Sequence, residues 1–251
     1  MIGFLSWVDT TPPIMPNNQL GQGEYTILEE LSYFYDFEFL DTDVQNFEGI
    51  DLLVVYHPSD VSEETEYAIE QFILSGGKSV IFVDPFFEKN DHSNKTSDLK
   101  NVLKTLNINF NSNVILDGAQ ATRLQTQQNI SDNTSLQTLL KLNWPEVRGQ
   151  FINQSEEIGD GLSLIRLVSP GGLSQLNDES EVIYTSIMSS SEATMDLPIK
   201  EVLDPIKLIN NFKPSGVTYD FGVKLSGNAM SSFNDYDLSL IHISEPTRLH
   251  G

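Results

Sequence analysis

With 36 acidic against 14 basic residues among 251, the chain has a formal charge of −22, and it contains no cysteine. That balance excludes a Lys/Arg cluster able to track nucleic-acid phosphates or an anionic lipid surface, and the missing thiols exclude cysteine nucleophiles, disulfides and thiolate metal sites. The 39% hydrophobic content suits a water-soluble domain with a sizeable core, and no stretch approaches the roughly 20 apolar residues that span a bilayer.

In chain order, residues 2–8 read as a core strand that starts without lead-in, so the chain is expected to be an interior fragment. A Pro- and Asn-rich loop follows, with Pro12, Pro13 and Pro16. Residues 25–34 carry Ile27, Leu28, Leu31 and Phe34 at helical spacing, and residues 36–40 form a short second strand. Residues 50–85 then spell out a complete strand–helix–strand unit. Leu52–Tyr56 is a continuous apolar run, as in a strand covered on both faces. Ser62 is placed to cap a helix whose first turn holds Glu63, Glu64 and Glu66, where the positive end of the dipole favours anions. Thr65, Ile69, Phe72 and Ile73 make its buried stripe, Gly76-Gly77 stops it, and residues 80–83 return as a parallel strand.

Beyond a polar loop, residues 98–106 read as a helix, and residues 108–110 and 114–116 as strands continuing the sheet. Residues 119–135, rich in Gln, Asn, Thr and Ser, read as a surface excursion. Residues 147–152, 162–168, 182–188 and 218–225 read as further strands. The expected fold class is α/β: a doubly wound, mainly parallel sheet, flavodoxin-like or glutamine-amidotransferase-like, with a β-rich C-terminal portion. One domain over 1–237 is expected, with a core at 1–117 and a continuation at 118–237. A separate small domain from about residue 142 is the alternative. Residues 238–248 (LSLIHISEPTR) resemble the translation of a transposase sequencing adapter, so 238–251 is set aside as a non-native tail, with His242 and His250 discounted as ligands.

Two phosphate-binding patterns fail on inspection. Gly77-Lys78-Ser79 follows a helix and enters a strand, the reverse of a P-loop, and Phe72 stands where its first glycine belongs. Gly21 and Gly23 precede a helix, but Thr26 occupies the third glycine position and the preceding loop is too long. Asp9, His57 and Asp84 carry more weight, as each follows the C-terminal end of a predicted strand, the edge where open α/β sheets bind ligands. Together they could bind a ligand or do acid–base chemistry; alone, His57-Pro58 and Asp84-Pro85 are turn-forming pairs and Asp9 a loop cap. Ser6 or Ser59 could pair with His57, but no Gly-x-Ser-x-Gly elbow is present. Trp7 and Trp144 read as core anchors.

These residues resemble the extracytoplasmic region of GldG-like proteins, auxiliary components of ABC transporters named from gliding motility. The resemblance rests on residues 51–56, His57-Pro58, Val61-Ser62, YAIEQF at 67–72 with Glu70 for the usual Asp, Gly76–Lys78 and residues 81–85. Residues 103–117, SIMSSS at 186–191 and FKPSGVTY at 212–219 extend it. It implies a non-catalytic component without a cofactor or metal, held at the periplasmic face of the bacterial inner membrane by helices this chain lacks. Its partners would be the permease and ATPase subunits of an ABC-type system, in gliding motility or envelope export. A solute- or glycan-binding domain, or a hydrolase at the same crevice, is the alternative.

Overall fold

The computed structural model describes residues 1–8, 26–88, 95–130 and 133–233. Its first layer is a four-stranded parallel sheet built from β1 (Ile2–Ser6), β2 (Phe37–Leu40), β3 (Leu52–Tyr56) and β4 (Lys78–Phe82), in the order β2-β1-β3-β4. Helix α1 (Thr26–Ser32) connects β1 to β2, and α2 (Glu63–Leu74) connects β3 to β4. The chain therefore moves outward in opposite directions from the β1/β3 pair.

Alternation along the strands sorts the two faces. Leu5, Leu53 and Val55 point into a core with Ala68 and Ile69 of α2, Leu99 and Val102, and Phe47 and Ile50 from the β2–β3 connection. The opposite face holds Phe4, Phe39, Tyr56 and Phe82 in a chain of ring contacts, with centroids 5.7–6.2 Å apart. The local signals operate as expected: Ser62 Oγ accepts from Thr65 N–H at 3.2 Å, and Gly76 closes the helix at φ +93°.

The expected strand over residues 2–8 stops at Ser6, whose Oγ donates to Val8 O at 2.8 Å and bends the chain out of the ladder. The expected extension of the parallel sheet by residues 108–116 does not occur. After α3 (Lys100–Thr105), β5 (Ile108–Asn111) and β6 (Val114–Asp117) form antiparallel pairs elsewhere. The polar segment read as a surface excursion is instead β7 (Ala121–Ile130), paired with β8 (Asn133–Arg148) in a long antiparallel ribbon. The expected strand at 147–152 is the end of β8 followed by a 3₁₀ turn, Gly149–Phe151.

The second half is antiparallel. β9 (Leu164–Arg166) joins β8; β10 (Gly172–Gln175), β11 (Val182–Ser189) and β13 (Asp220–Gly227) form a sheet with β5 in the order β11-β13-β10-β5; and β12 (Thr194–Leu197) pairs with β6. Helix α4 (Pro205–Asn211), capped by Asp204 Oδ1, packs Leu208 into a second core with Phe86, Val114, Leu116, Leu142 and Val202. Among the described residues, no helix is long and apolar enough to cross a membrane.

Candidate functional site

The C-terminal edge of the parallel sheet places His57 directly after β3 and Asp84 two residues after β4. Asp9 and residues 238–251 lie outside the described residues. His57 has a left-handed backbone, φ +46°, held by its N–H donating to Phe82 O at 3.0 Å. A non-glycine residue pays for that conformation, and such positions cluster at sites where a side chain must be aimed. Here it turns the imidazole inward: the ring is 1% exposed and lies 5.8 Å from the Phe87 ring.

Neither His57 ring nitrogen has a hydrogen-bond partner among the described residues. Nδ1 lies 3.6 Å from Asp84 Oδ2, within ion-pair reach but beyond a hydrogen bond. Asp84 is about one-third exposed, and its loop is fixed by a reciprocal pair of bonds: Asp84 N–H donates to Ser97 Oγ at 2.9 Å and Ser97 N–H to Asp84 O at 3.0 Å. Asp98 N–H donates to Pro58 O at 2.7 Å, tying the two loops together. The structure thus brings His57 and Asp84 side by side. Ser6 turns to its own loop, donating to Val8 O, and Ser59 is buried. This pair can exchange a proton or bind a small polar group, but no described nucleophile is aligned with it. Among the described residues no cluster of three or more His, Asp or Glu side chains is placed to hold a metal.

Sequence reasoning missed the other polar sites. Asp117, fully buried at the end of β6, accepts from Ala119 N–H, Gln120 N–H and Ser191 Oγ on Oδ1, and from Gln120 Nε2 and Ser191 N–H on Oδ2, at 2.7–3.0 Å. Glu70, fully buried on α2, accepts from Thr105 Oγ1, from Ser231 Oγ at 2.6 Å and from Ser232 N–H at 2.9 Å. Glu88 accepts from Trp144 Nε1 at 2.9 Å and Ser169 Oγ at 2.7 Å. The visible signal was the Ser-rich composition of SIMSSS and of residues 231–232, which supplies hydroxyl donors. Two clefts open on the second half. One of about 580 Å³ is lined by Gln150, Phe151, Asn153 and Ser186, and one of about 360 Å³ by Leu140, Leu142, Ile209 and Phe212. Neither is lined by His57 or Asp84.

Residues 1–246 match the family model of the auxiliary ABC-type uncharacterized transport system. The chain belongs to that family. It is thus an auxiliary component of an ABC-type transport system and is associated with such a system. No curated protein matches it. Among solved structures, a ThuA-like protein from Bacteroides uniformis is similar at 13% identity, with a TM-score of 0.41, over 79% of this chain and 75% of that one.

Proposed function

We propose that the chain is a non-catalytic companion of its ABC-type system, working on the periplasmic side of the bacterial inner membrane beside the permease and ATPase subunits, in envelope export or gliding motility. The observation that carries this reading is the family match over residues 1–246. The candidate site agrees with it: an imidazole 1% exposed, with Ser6 bonded to its own loop, offers a substrate little reactive surface. We also read the parallel layer as the flavodoxin-like core of a single domain, because its order, β2-β1-β3-β4, reverses direction between β1 and β3 as doubly wound sheets do.

Affinity purification of the tagged protein from detergent-solubilised membranes tests this. The permease and ATPase are expected to co-purify, and to do so undiminished with His57→Ala and Asp84→Ala. Turnover by the isolated protein, abolished by either substitution, would replace the reading with a hydrolase. Thermal stabilisation by a glycan, lost in both variants, would replace it with a solute-binding domain.

A further inference from the structure

The cleft of about 580 Å³ in the second half falls within the range of small-molecule sites, roughly 300–1,000 Å³. Three departures from regular backbone build it. Gly149 takes φ +60° and starts the 3₁₀ turn Gly149–Phe151. Ile152, 3% exposed, bridges to Met188, and Asn153 N–H donates to Ile187 O at 2.9 Å, which fastens the turn to the edge of β11. β11 itself breaks register with β13 on either side of Met188, and such bulges re-aim side chains and are over-represented beside active sites. Ser186 and Ser189, which flank the bulge, both line the cleft.

The polar lining is Gln150, Asn153, Gln154, Ser186 and Ser189, with Phe151 the one aromatic. None of the lining residues is charged, in a chain with 36 acidic residues. Nearby charges are engaged elsewhere: Lys224 pairs with Glu156, and Asp220 accepts from Tyr184 and Ser186. Part of the lining is structural, because Asn153 Nδ2 donates to Ser186 O at 3.0 Å and Gln154 Nε2 to Leu162 O at 2.9 Å. The Gln150 amide and the Ser189 hydroxyl have no partner among the described residues, and the Gln154 side-chain oxygen is likewise open. A carboxamide offers donors and an acceptor in one plane, a hydroxyl offers both, and an aromatic ring supplies an apolar face.

This chemistry removes most ligand classes. A phosphate finds no Lys or Arg in the lining, a divalent cation finds no carboxylate, and a lipid chain would bury open polar groups. A peptide would add to an edge strand through main-chain bonds, but residues 152–153 already occupy the edge of β11 here. What remains is a neutral molecule rich in hydroxyl groups with an apolar C–H face. We propose that this cleft is a saccharide site, in which Phe151 stacks on a sugar ring and Gln150, Gln154 and Ser189 bond its hydroxyls. The site is separate from the His57–Asp84 crevice and goes beyond the reading of the chain as a companion in transport, on which it does not depend.

The test uses the full chain with chitotetraose and maltotetraose as neutral probes, and tetragalacturonate and tetra-alanine as acidic and peptide controls. Binding is measured by calorimetry and located by hydrogen exchange, in the wild type and in Gln150→Ala, Phe151→Ala and His57→Ala. Circular dichroism melts confirm that each variant folds, and the exposed Gln150 keeps the test open if Phe151→Ala does not. At least one neutral tetrasaccharide is expected to bind with millimolar affinity or tighter and to protect residues 149–154 and 186–189. Its affinity should fall at least tenfold in Gln150→Ala and in Phe151→Ala and stay unchanged in His57→Ala. Binding of neither neutral probe, equal affinity in wild type and Gln150→Ala, or tighter binding of either control would overturn the assignment. Binding lost in His57→Ala and kept in Gln150→Ala would also overturn it, in favour of the crevice at the edge of the parallel sheet.

Discussion

At Asp117 the molecule buries a carboxylate completely and gives it five N–H and O–H donors in place of a cation. Each donor is itself removed from water, so deleting the acceptor strands several of them, at about 1–3 kcal/mol per group. Asp117→Ala is expected to lower stability by about 3 kcal/mol or more in urea titration. Asp117→Asn should also destabilise, because the amide nitrogen would then face donors. A variant within about 0.5 kcal/mol of wild type would show that water substitutes for the side chain. Tyr184 poses a different problem. Its hydroxyl donates to Asp220 Oδ2 at 2.6 Å, and burial first, then the adjacent carboxylate, holds the phenol above its ordinary value. Because the folded phenol keeps its proton to higher pH than the unfolded one, its contribution is complete below the unfolded value, about 10, and is lost as pH rises above it. Urea midpoints are therefore expected to fall above about pH 10, and to fall less steeply in Tyr184→Phe. Parallel curves for the two proteins would remove Tyr184 as the cause.

Helix α3 shows how one element completes another. It has six residues, too few to persist alone, and Leu99 at its N-terminus offers no side-chain cap. Glu66 of α2 supplies one: Oε1 accepts from Asn101 N–H at 2.6 Å and Val102 N–H at 3.2 Å, and Oε2 from Asn101 Nδ2 at 2.8 Å. A carboxylate there satisfies end groups and meets the positive end of the dipole. Glu66→Ala should cost about 2 kcal/mol and speed amide exchange across residues 101–105, whereas Ser62→Ala should cost about 1 kcal/mol and act on α2. Exchange at α3 unchanged by Glu66→Ala would refute the cross-cap. This element also marks what the chain reveals on its own. The β3–α2–β4 unit was legible because its signals are local: an apolar run, Ser62, a stripe at helical spacing and Gly76. Glu66 was visible as a first-turn acid, but its partners lie 35 residues away. The antiparallel half was less legible for the same reason. β7 is rich in Gln and Thr, and its strand character comes from pairing with β8 rather than from apolar alternation. β10 and β12 are four-residue strands paired with β5 and β6, which lie more than 60 residues earlier in the chain. α4 does carry a local signal, Asp204 as cap followed by Pro205 in the first turn. At the candidate site, the strand-edge positions of His57 and Asp84 were legible, while the depth of the imidazole depends on Phe87 and a left-handed backbone that no local pattern announces.

The two halves are held together by carboxylates that meet hydroxyl, indole and backbone donors, as befits a chain with few cations. Glu70 draws residues 231–232 back onto α2 and α3, where Phe233 also packs on Tyr67, ring centroids 5.4 Å apart. Glu88, after β4, reaches β8 through Trp144 and the turn before β10 through Ser169, which also accepts from Asn143 Nδ2 at 2.9 Å. Because Trp144 is one end of this tie, the coupling can be read optically in a Trp7→Phe background, where Trp144 is the remaining tryptophan. In that background, urea transitions followed by fluorescence and by circular dichroism should coincide, as they do when domains unfold in one step. Glu88→Ala removes a charge-assisted acceptor from two donors, and is expected to cost about 2 kcal/mol and to shift Trp144 emission to the red. It should also separate the two transitions, with the fluorescence change coming first as the β8 side loosens before the parallel sheet. Glu88→Gln keeps an acceptor oxygen and should fall between the two. Coincident transitions in Glu88→Ala would mean that the halves are coupled through Glu70 instead, and combining Glu88→Ala with Glu70→Gln would then be the variant in which they part.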